Sequence, residues 1–211
     1  MACCRGGQIL LDADQTQPGP PMTVFYHWRF YYEDWDPQRH RQTYHLEWQF
    51  GHIEYDVPRA PVGTPRADAV HTLTTRFTGM HLMSMGNANA GGADGQGWDL
   101  SNASRPIELI MMGFHCHSPA CLGGELYNAD TNELLCAVKP VAGKGQEPQD
   151  ESSYLWLPPC QWGDPALGLA PPPVITGETN LLGIKRARSD VGHYGVMAIF
   201  QGRGAWHEGT W

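Results

Sequence analysis

The sequence predicts an all-β fold, an antiparallel β-sandwich or jelly roll with little helix. Among its 211 residues are 25 Gly and 17 Pro, and both residue types disfavour the interior of a helix. Short apolar segments with the two-residue period of a half-buried strand recur along the chain, separated by turn-forming residues. We therefore expect fewer than about a tenth of the residues to be helical.

The first half of the chain begins with an extended N-terminal arm over residues 1–21, which is rich in Gly, Gln and Pro. Residues 22–211 then form the β-sandwich domain. The stretch Thr23–Trp35 alternates, with Val24, Tyr26, Trp28, Phe30 and Tyr32 on one side, and predicts a first strand. Further strands are predicted at Tyr44–Phe50 and His71–Phe77, and His52–Val57 either continues the first of these or begins another strand.

A Gly-rich segment over residues 86–104 has too few apolar side chains to bury. We expect it to be a long loop, the most irregular internal segment, and a candidate boundary between two halves of the domain. It contains the sequon Asn102-Ala103-Ser104, so Asn102 is a candidate glycosylation site.

The second half again has strand patterns. They cover Ile107–His117, Gly124–Tyr127, Leu134–Val138, Ser153–Leu157, Val174–Ile184 and His193–Phe200. The basic cluster Lys185–Arg188 is interpreted as a solvated turn. With a formal net charge of −8 and no extended basic surface, the chain is not expected to bind nucleic acid. No apolar run approaches the ~20 residues of a transmembrane helix, so we expect no membrane span.

One motif carries candidate chemistry, the sequence Phe114-His115-Cys116-His117. Residues two apart on a strand share a face, so His115 and His117 can reach one ion while Cys116 points away. Ile107, Leu109 and Met111 have the same parity, which predicts that the pair faces an apolar interior. Imidazoles suit copper, zinc, iron or nickel. The alternative is two buried histidines that only form hydrogen bonds.

The last predicted strand supplies two further candidates, His193 and Met197, which also share parity. A thioether beside imidazoles favours Cu(I) over zinc. The alternative for Met197 is ordinary packing in the core, which is the commoner role of a methionine.

The cysteines indicate the cellular compartment in which the protein folds. Cys116, Cys121, Cys136 and Cys160 cluster in the second half, which is typical of disulfides in an oxidising environment. Cys116 and Cys121 are a candidate pair because Pro119 can turn the chain between them. We expect an extracellular or secretory location, although the N-terminal apolar stretch is too short for a signal peptide.

Several fragments taken in order resemble the stress up-regulated nodulin family of plants. They are Tyr31–Asp36, Ile53–Pro58, Gly113–His117, Leu126–Cys136, Cys160 and His193–Phe200. The resemblance implies a disulfide between Cys136 and Cys160. More distantly, the second half is similar to the C-terminal jelly roll of copper type II, ascorbate-dependent monooxygenases. That resemblance implies copper bound by His115 and His117, with either His193 or Met197 as the third ligand.

The chain departs from those monooxygenases because its first half has no His-His pair for their second copper site. A copper-binding jelly roll resembling one half of such an enzyme therefore need not catalyse a monooxygenase-like oxidation. The alternative function is a non-catalytic β-sandwich that acts as a structural or assembly subunit, for example of an extracellular layer or filament, with self-association or an extracellular partner.

Overall fold

The computed structural model describes residues 28–51, 54–90, 97–118, 120–145 and 155–208, together with isolated positions before residue 28. The strands are β1 (Cys4–Arg5), β2 (Gln8–Ile9), β3 (Tyr44–Gln49), β4 (Tyr55–Val57), β5 (Val70–Thr78), β6 (Ile107–Cys116), β7 (Cys121–Asn128), β8 (Glu133–Val138), β9 (Val141–Ala142), β10 (Leu155–Trp156), β11 (Cys160–Gln161), β12 (Val174–Ile175), β13 (Asn180–Arg188), β14 (His193–Val196) and β15 (Ala198–Trp206). The helices are α1 (Gly79–Ala90) and a 3-10 turn at Pro165–Leu167.

Two antiparallel sheets form the sandwich. One has the order β11-β6-β15-β3, with β12 also paired to β6, and the other has the order β5-β13-β7-β8. The small pairs β1-β2, β4-β14 and β9-β10 lie outside these sheets. The prediction of an all-β, antiparallel sandwich with little helix is confirmed, since α1 and the 3-10 turn have only 12 and 3 residues.

The core lies between the two sheets and is rich in aromatic rings. Phe114 and Phe200, on neighbouring strands, have ring centroids 4.9 Å apart, and Phe50 packs against both. All three side chains are almost completely buried. This burial agrees with the period-2 pattern that predicted Tyr44–Phe50 and His193–Phe200 as strands.

The expectation of a loop throughout residues 86–104 is wrong at its start, whereas residues 97–104 form turns and irregular backbone as expected. Helix α1 extends to Ala90, and Trp98 is buried, with its indole Nε1 donating to the carbonyl oxygen of His45 at 2.6 Å. A Cβ on Gly86 would lie 2.2 Å from the same oxygen, so glycine lets α1 approach β3 closely. Residues 91–96, the centre of the predicted loop, lie outside the described residues.

Two other predictions are corrected. The described part of Thr23–Trp35 forms no strand, and its aromatic side chains are exposed. An alternating pattern needs a neighbouring strand for its hydrogen bonds, and this segment has none among the described residues. The basic cluster Lys185–Arg188 is part of the central strand β13 and not a turn, and Lys185 is fully buried.

Two long predicted strands are each divided in the structure. Val174–Ile184 contains β12, a turn and the start of β13, whereas His193–Phe200 contains β14 and the start of β15. Met197 lies in the break between the latter two strands. Glycine at position 195, with φ +63°, allows the backbone to change direction there.

Both predicted disulfides form. Cys136 and Cys160 are joined across β8 and β11, which confirms the pairing implied by the family resemblance. Cys116 and Cys121, the candidate pair, are also joined. Two disulfides are typical of a protein that folds in an oxidising compartment.

Most of the N-terminal arm lies outside the described residues. Within it, β1 pairs with β2 in an antiparallel arrangement, and Asp12 is buried against the sandwich. In the described ranges, neither helix is long and apolar enough to cross a membrane.

Candidate metal site

The direction of the histidine pair depends on a β-bulge in β6. In the ladder with β15, Gly204 pairs with Leu109 and Arg203 pairs with Met111, so Ile110 is an extra residue. One extra residue in a strand turns the side chains of all later residues to the opposite face of the sheet. Ile107 and Leu109 are therefore buried before the bulge, whereas Met112, Phe114 and Cys116 are buried after it.

The prediction that His115 and His117 face the apolar interior is therefore wrong. Both lie on the opposite face of the sheet from Phe114 and Cys116, with His115 exposed and His117 half-buried. The alternative of two buried core histidines is excluded by the same observation. The pair is accessible to an ion or a small molecule from solvent.

The two imidazoles are close neighbours, with ring centroids 5.2 Å apart and planes nearly perpendicular. The Nδ1 atom of His117 lies 2.7 Å from the carbonyl oxygen of Gly195. A carbonyl can only accept, so Nδ1 carries a proton, and in the neutral imidazole the lone pair is therefore on Nε2. This second hydrogen bond fixes the tautomer and orientation in the way that metal-binding histidines are usually fixed.

The charge state of His115 also suits a metal ligand. Desolvation lowers the pKa of His115 below its usual 6.5, and the nearby His117 and Lys185 side chains lower it further. A lower pKa keeps the imidazole neutral, with a free lone pair, at mildly acidic pH.

The backbone of Met197 lies close to that of the histidine pair. Ala198 is paired with Cys116 at the end of the β6-β15 ladder, so Met197 follows as the next residue toward His117. The Met197 side chain is half-buried, while its carbonyl oxygen accepts a hydrogen bond from Lys185 at 2.5 Å. Of the two candidates for a third ligand, Met197 is thus the one next to His117 along the β6-β15 ladder.

His193 belongs to a different hydrogen-bond network. Its ring is buried and its Nδ1 lies 2.8 Å from an oxygen of Asp12, whose other oxygen accepts from the backbone of Tyr194. Its Nε2 is buried and has no hydrogen-bond partner among the described residues. The described side chains contain no group of three or more His, Cys, Asp or Glu that could hold a metal ion.

Lys185 is a residue of this region that the sequence did not identify. It lies between the sheets, fully buried, with its ammonium 5.0 Å from the centroid of the Tyr55 ring. Burial lowers the pKa of Lys185 to about 7 and raises the pKa of Tyr55 to about 12. The alternation of β13, with Leu181, Gly183 and Ala187 also buried, could have indicated this inward position.

Asp12, the carboxylate that holds His193, was also missed because it belongs to a segment without a recognisable pattern. Asn102, the candidate glycosylation site, is exposed, and its side-chain oxygen accepts from the backbone of Ser104 at 3.1 Å. Its accessibility is compatible with the prediction, which remains a prediction.

A groove of about 530 Å³ opens beside the histidine face, between β3, β15 and α1. Ile199, which lines this groove, pairs with His115 on one side and with Gln49 on the other. The groove also contains the buried carboxylate of Glu47, which accepts from Asn89 at 2.6 Å. A molecule bound in the groove would thus lie one strand away from His115.

The site therefore offers two solvent-facing imidazoles, one of them fixed by a backbone carbonyl, and a thioether on the neighbouring segment. This donor set suits copper in part: the nitrogen ligands and the soft sulfur fit, and remaining positions would be filled by solvent or another ligand. Comparisons of the chain with models of protein families, with curated proteins and with solved structures find no match.

Proposed function

We propose that this protein is a copper-binding β-sandwich of the extracellular space or secretory pathway. His115 and His117 are its imidazole ligands and Met197 supplies a weaker sulfur ligand. The observation that supports this most directly is the Nδ1–H bond from His117 to Gly195, which leaves Nε2 free beside the ring of His115. The extracellular location is supported by the two disulfides.

Each residue has a separate part in this proposal. His115 supplies a neutral imidazole because its pKa is lowered. Gly195 orients His117, and Lys185 holds the backbone carbonyl of Met197. A copper ion bound here would supply one-electron redox chemistry. Catalysis is not part of the proposal.

The test is a titration of the purified full chain with Cu(II), and with Cu(I) under reducing conditions that leave the disulfides intact. We expect one ion per chain. His115→Ala and His117→Ala should each weaken binding at least about tenfold, as expected for the loss of a ligand or its support. His40→Ala is the matched control, because His40 lies in a turn far along the sequence, and it should bind normally.

Met197→Leu removes the sulfur but keeps the backbone carbonyl that Lys185 binds. The variant therefore tests the sulfur ligand alone. Cu(I) affinity should fall more than Cu(II) affinity, because thioethers prefer the softer ion. Binding that survives the loss of both histidines would contradict the proposal, as would the absence of any stoichiometric binding.

A further inference from the structure

An exposed aromatic segment lies at the start of the described chain. It comprises Phe25, Tyr26 and residues 28–32, and all six of its aromatic side chains are at least 72% exposed. Soluble monomers rarely leave so much contiguous apolar surface in water, and such surface usually marks an interaction site. The fold of the single chain does not use these rings.

The segment is fixed at its end and is not a free tail. Glu33, which follows it, lies 2.7 Å from Nε2 of His40, and the ring of Trp35 packs on the same imidazole. His40 itself closes a short turn by accepting a hydrogen bond at Nδ1 from the backbone of Asp36. Arg41, the residue after this turn, donates to Glu108 of β6 at 2.7 Å, so the segment projects from a defined point on the sandwich.

An edge strand of matching length is open elsewhere in the fold. Strand β5 has nine residues and pairs with β13 on one side, and among the described residues no strand pairs with its other side. An unpaired edge presents a row of backbone donors and acceptors that can accept another strand. The opposite edge of this sheet, β8, is shorter, and its Cys136 is tied to Cys160 in β11.

The side chains of the two elements are complementary. The exposed side of β5 carries Val70, Thr72, Thr74 and Arg76. Aromatic rings pair well with β-branched neighbours across strands, and an arginine can lie over a ring. The acidic residues Glu33 and Asp34 that follow the aromatic segment complement the charge of Arg76.

The area available is sufficient for a stable interface. On one parity the segment has Tyr26, Trp28, Phe30 and Tyr32, and four buried aromatic side chains supply about 600–1,000 Å². A standard interface buries about 800 Å² per partner.

We propose that the aromatic segment of one copy of this chain adds as an extra strand to the open edge of β5 in a second copy. The alternating pattern of the segment would then be satisfied between molecules. Each copy carries one donor segment and one acceptor edge, so the contact can close in a two-fold dimer or continue head to tail. This inference does not depend on the proposed copper site.

The experiment uses two full-length variants. The donor variant is Trp28→Ser/Phe30→Ser/Tyr32→Ser, and the acceptor variant is Thr72→Asp/Thr74→Asp, whose charges repel Glu33 and Asp34. All substituted side chains are exposed, so both variants should fold and keep the circular dichroism spectrum of the wild type. Leu134→Asp, an exposed position on the other edge of the sheet, is the control.

Sedimentation velocity should show that the mass of the wild-type protein and of the Leu134→Asp control rises with concentration. Each of the two variants alone should be monomeric. A mixture of the two should form a one-to-one complex, because one retains the acceptor edge and the other retains the donor segment. The proposal is overturned if the wild type is monomeric throughout, if either variant still associates, or if the mixture does not combine.

Discussion

His117, the residue that follows β6, donates the proton on its Nδ1 to the carbonyl oxygen of Gly195 in β14 at 2.7 Å. Gly195 has a φ of +63°, a conformation that residues with a Cβ rarely adopt, so the backbone that carries this carbonyl favours glycine. The backbone at Gly195 thus provides the acceptor that holds the Nδ1 of His117 and leaves its Nε2 available.

We therefore predict that Gly195→Ala weakens copper binding as well as folding. The strained backbone should cost about 1–2 kcal/mol of unfolding free energy, and copper affinity should fall because His117 loses its fixed orientation. Urea denaturation and a copper titration measure the two effects. Gly168→Ala is the matched control, since Gly168 also has a positive φ of 77° but lies outside the site. It should lose similar stability and keep its copper affinity.

The buried ammonium of Lys185 predicts a dependence of stability on pH. Its pKa is about 7 in the folded protein against 10.5 for an unperturbed lysine. Below pH 7 the Lys185 amine is protonated in both the folded and the unfolded state, so the full cost of burying its charge lowers the unfolding free energy. Between these values only the unfolded chain binds the proton, so the contribution of Lys185 to stability rises by up to about 1.4 kcal/mol per pH unit.

Lys185→Met should remove this rise. The difference in unfolding free energy between the variant and the wild type should favour the variant at pH 7 and shrink toward pH 9.5, as measured by urea denaturation. Lys139→Met, at an exposed position, should show no such trend. A difference that stays constant over this pH range would contradict the prediction.

The two disulfides should differ in their effect on stability. Their cysteines are 24 and 5 residues apart in sequence. By the loop-closure model, losing the longer loop through Cys136→Ala/Cys160→Ala should cost about 3–4 kcal/mol, and Cys116→Ala/Cys121→Ala about 2 kcal/mol. Chemical denaturation without reductant measures both, and the reverse order would show that native packing rather than chain entropy dominates.

Gly86→Ala should destabilise the protein, against the usual preference of a helix for alanine. Helix propensity alone favours the change by about 1 kcal/mol, but the new Cβ would lie 2.2 Å from the carbonyl oxygen of His45. Separating α1 from β3 should give a net loss of about 1–3 kcal/mol, measured by thermal and urea unfolding. Ser84→Ala in the same helix should instead gain a few tenths of a kcal/mol. An increase in stability for Gly86→Ala would contradict the close approach.

The fold class was predictable because alternation is a local property. Segments such as Tyr44–Phe50 and His71–Phe77 carry their strand period in the sequence, and they form β3 and β5. Helix α1 was missed because Gly79–Ala90 combines small and polar residues without a clear apolar stripe. Its Leu82 and Met83 are buried because α1 packs against β3. A short window of sequence around α1 does not include β3 and so carries no signal for this contact.

The residue types of the candidate site were predictable from the sequence. The face of the sheet on which they lie was not. Spacing was enough to place His115 and His117 on one face of a strand. The bulge at Ile110 depends on how β6 and β15 align along their whole length, so the facing of the pair could not be derived from β6 alone. The burial of Lys185 and the contact between Asp12 and His193 join distant segments and have no local signature.

The extra residue in β6 also restricts how the length of this strand can change. Deleting Ile110 alone would remove the bulge, so that Leu109 and Met111 pair in succession with Gly204 and Arg203 while Phe114 stays inward and His115 and His117 stay outward. One further residue inserted between Ile110 and Phe114 would have the opposite effect, because it would turn the imidazoles inward and the ring of Phe114 into water. This part of the strand should thus tolerate the loss of one residue but not the gain of one.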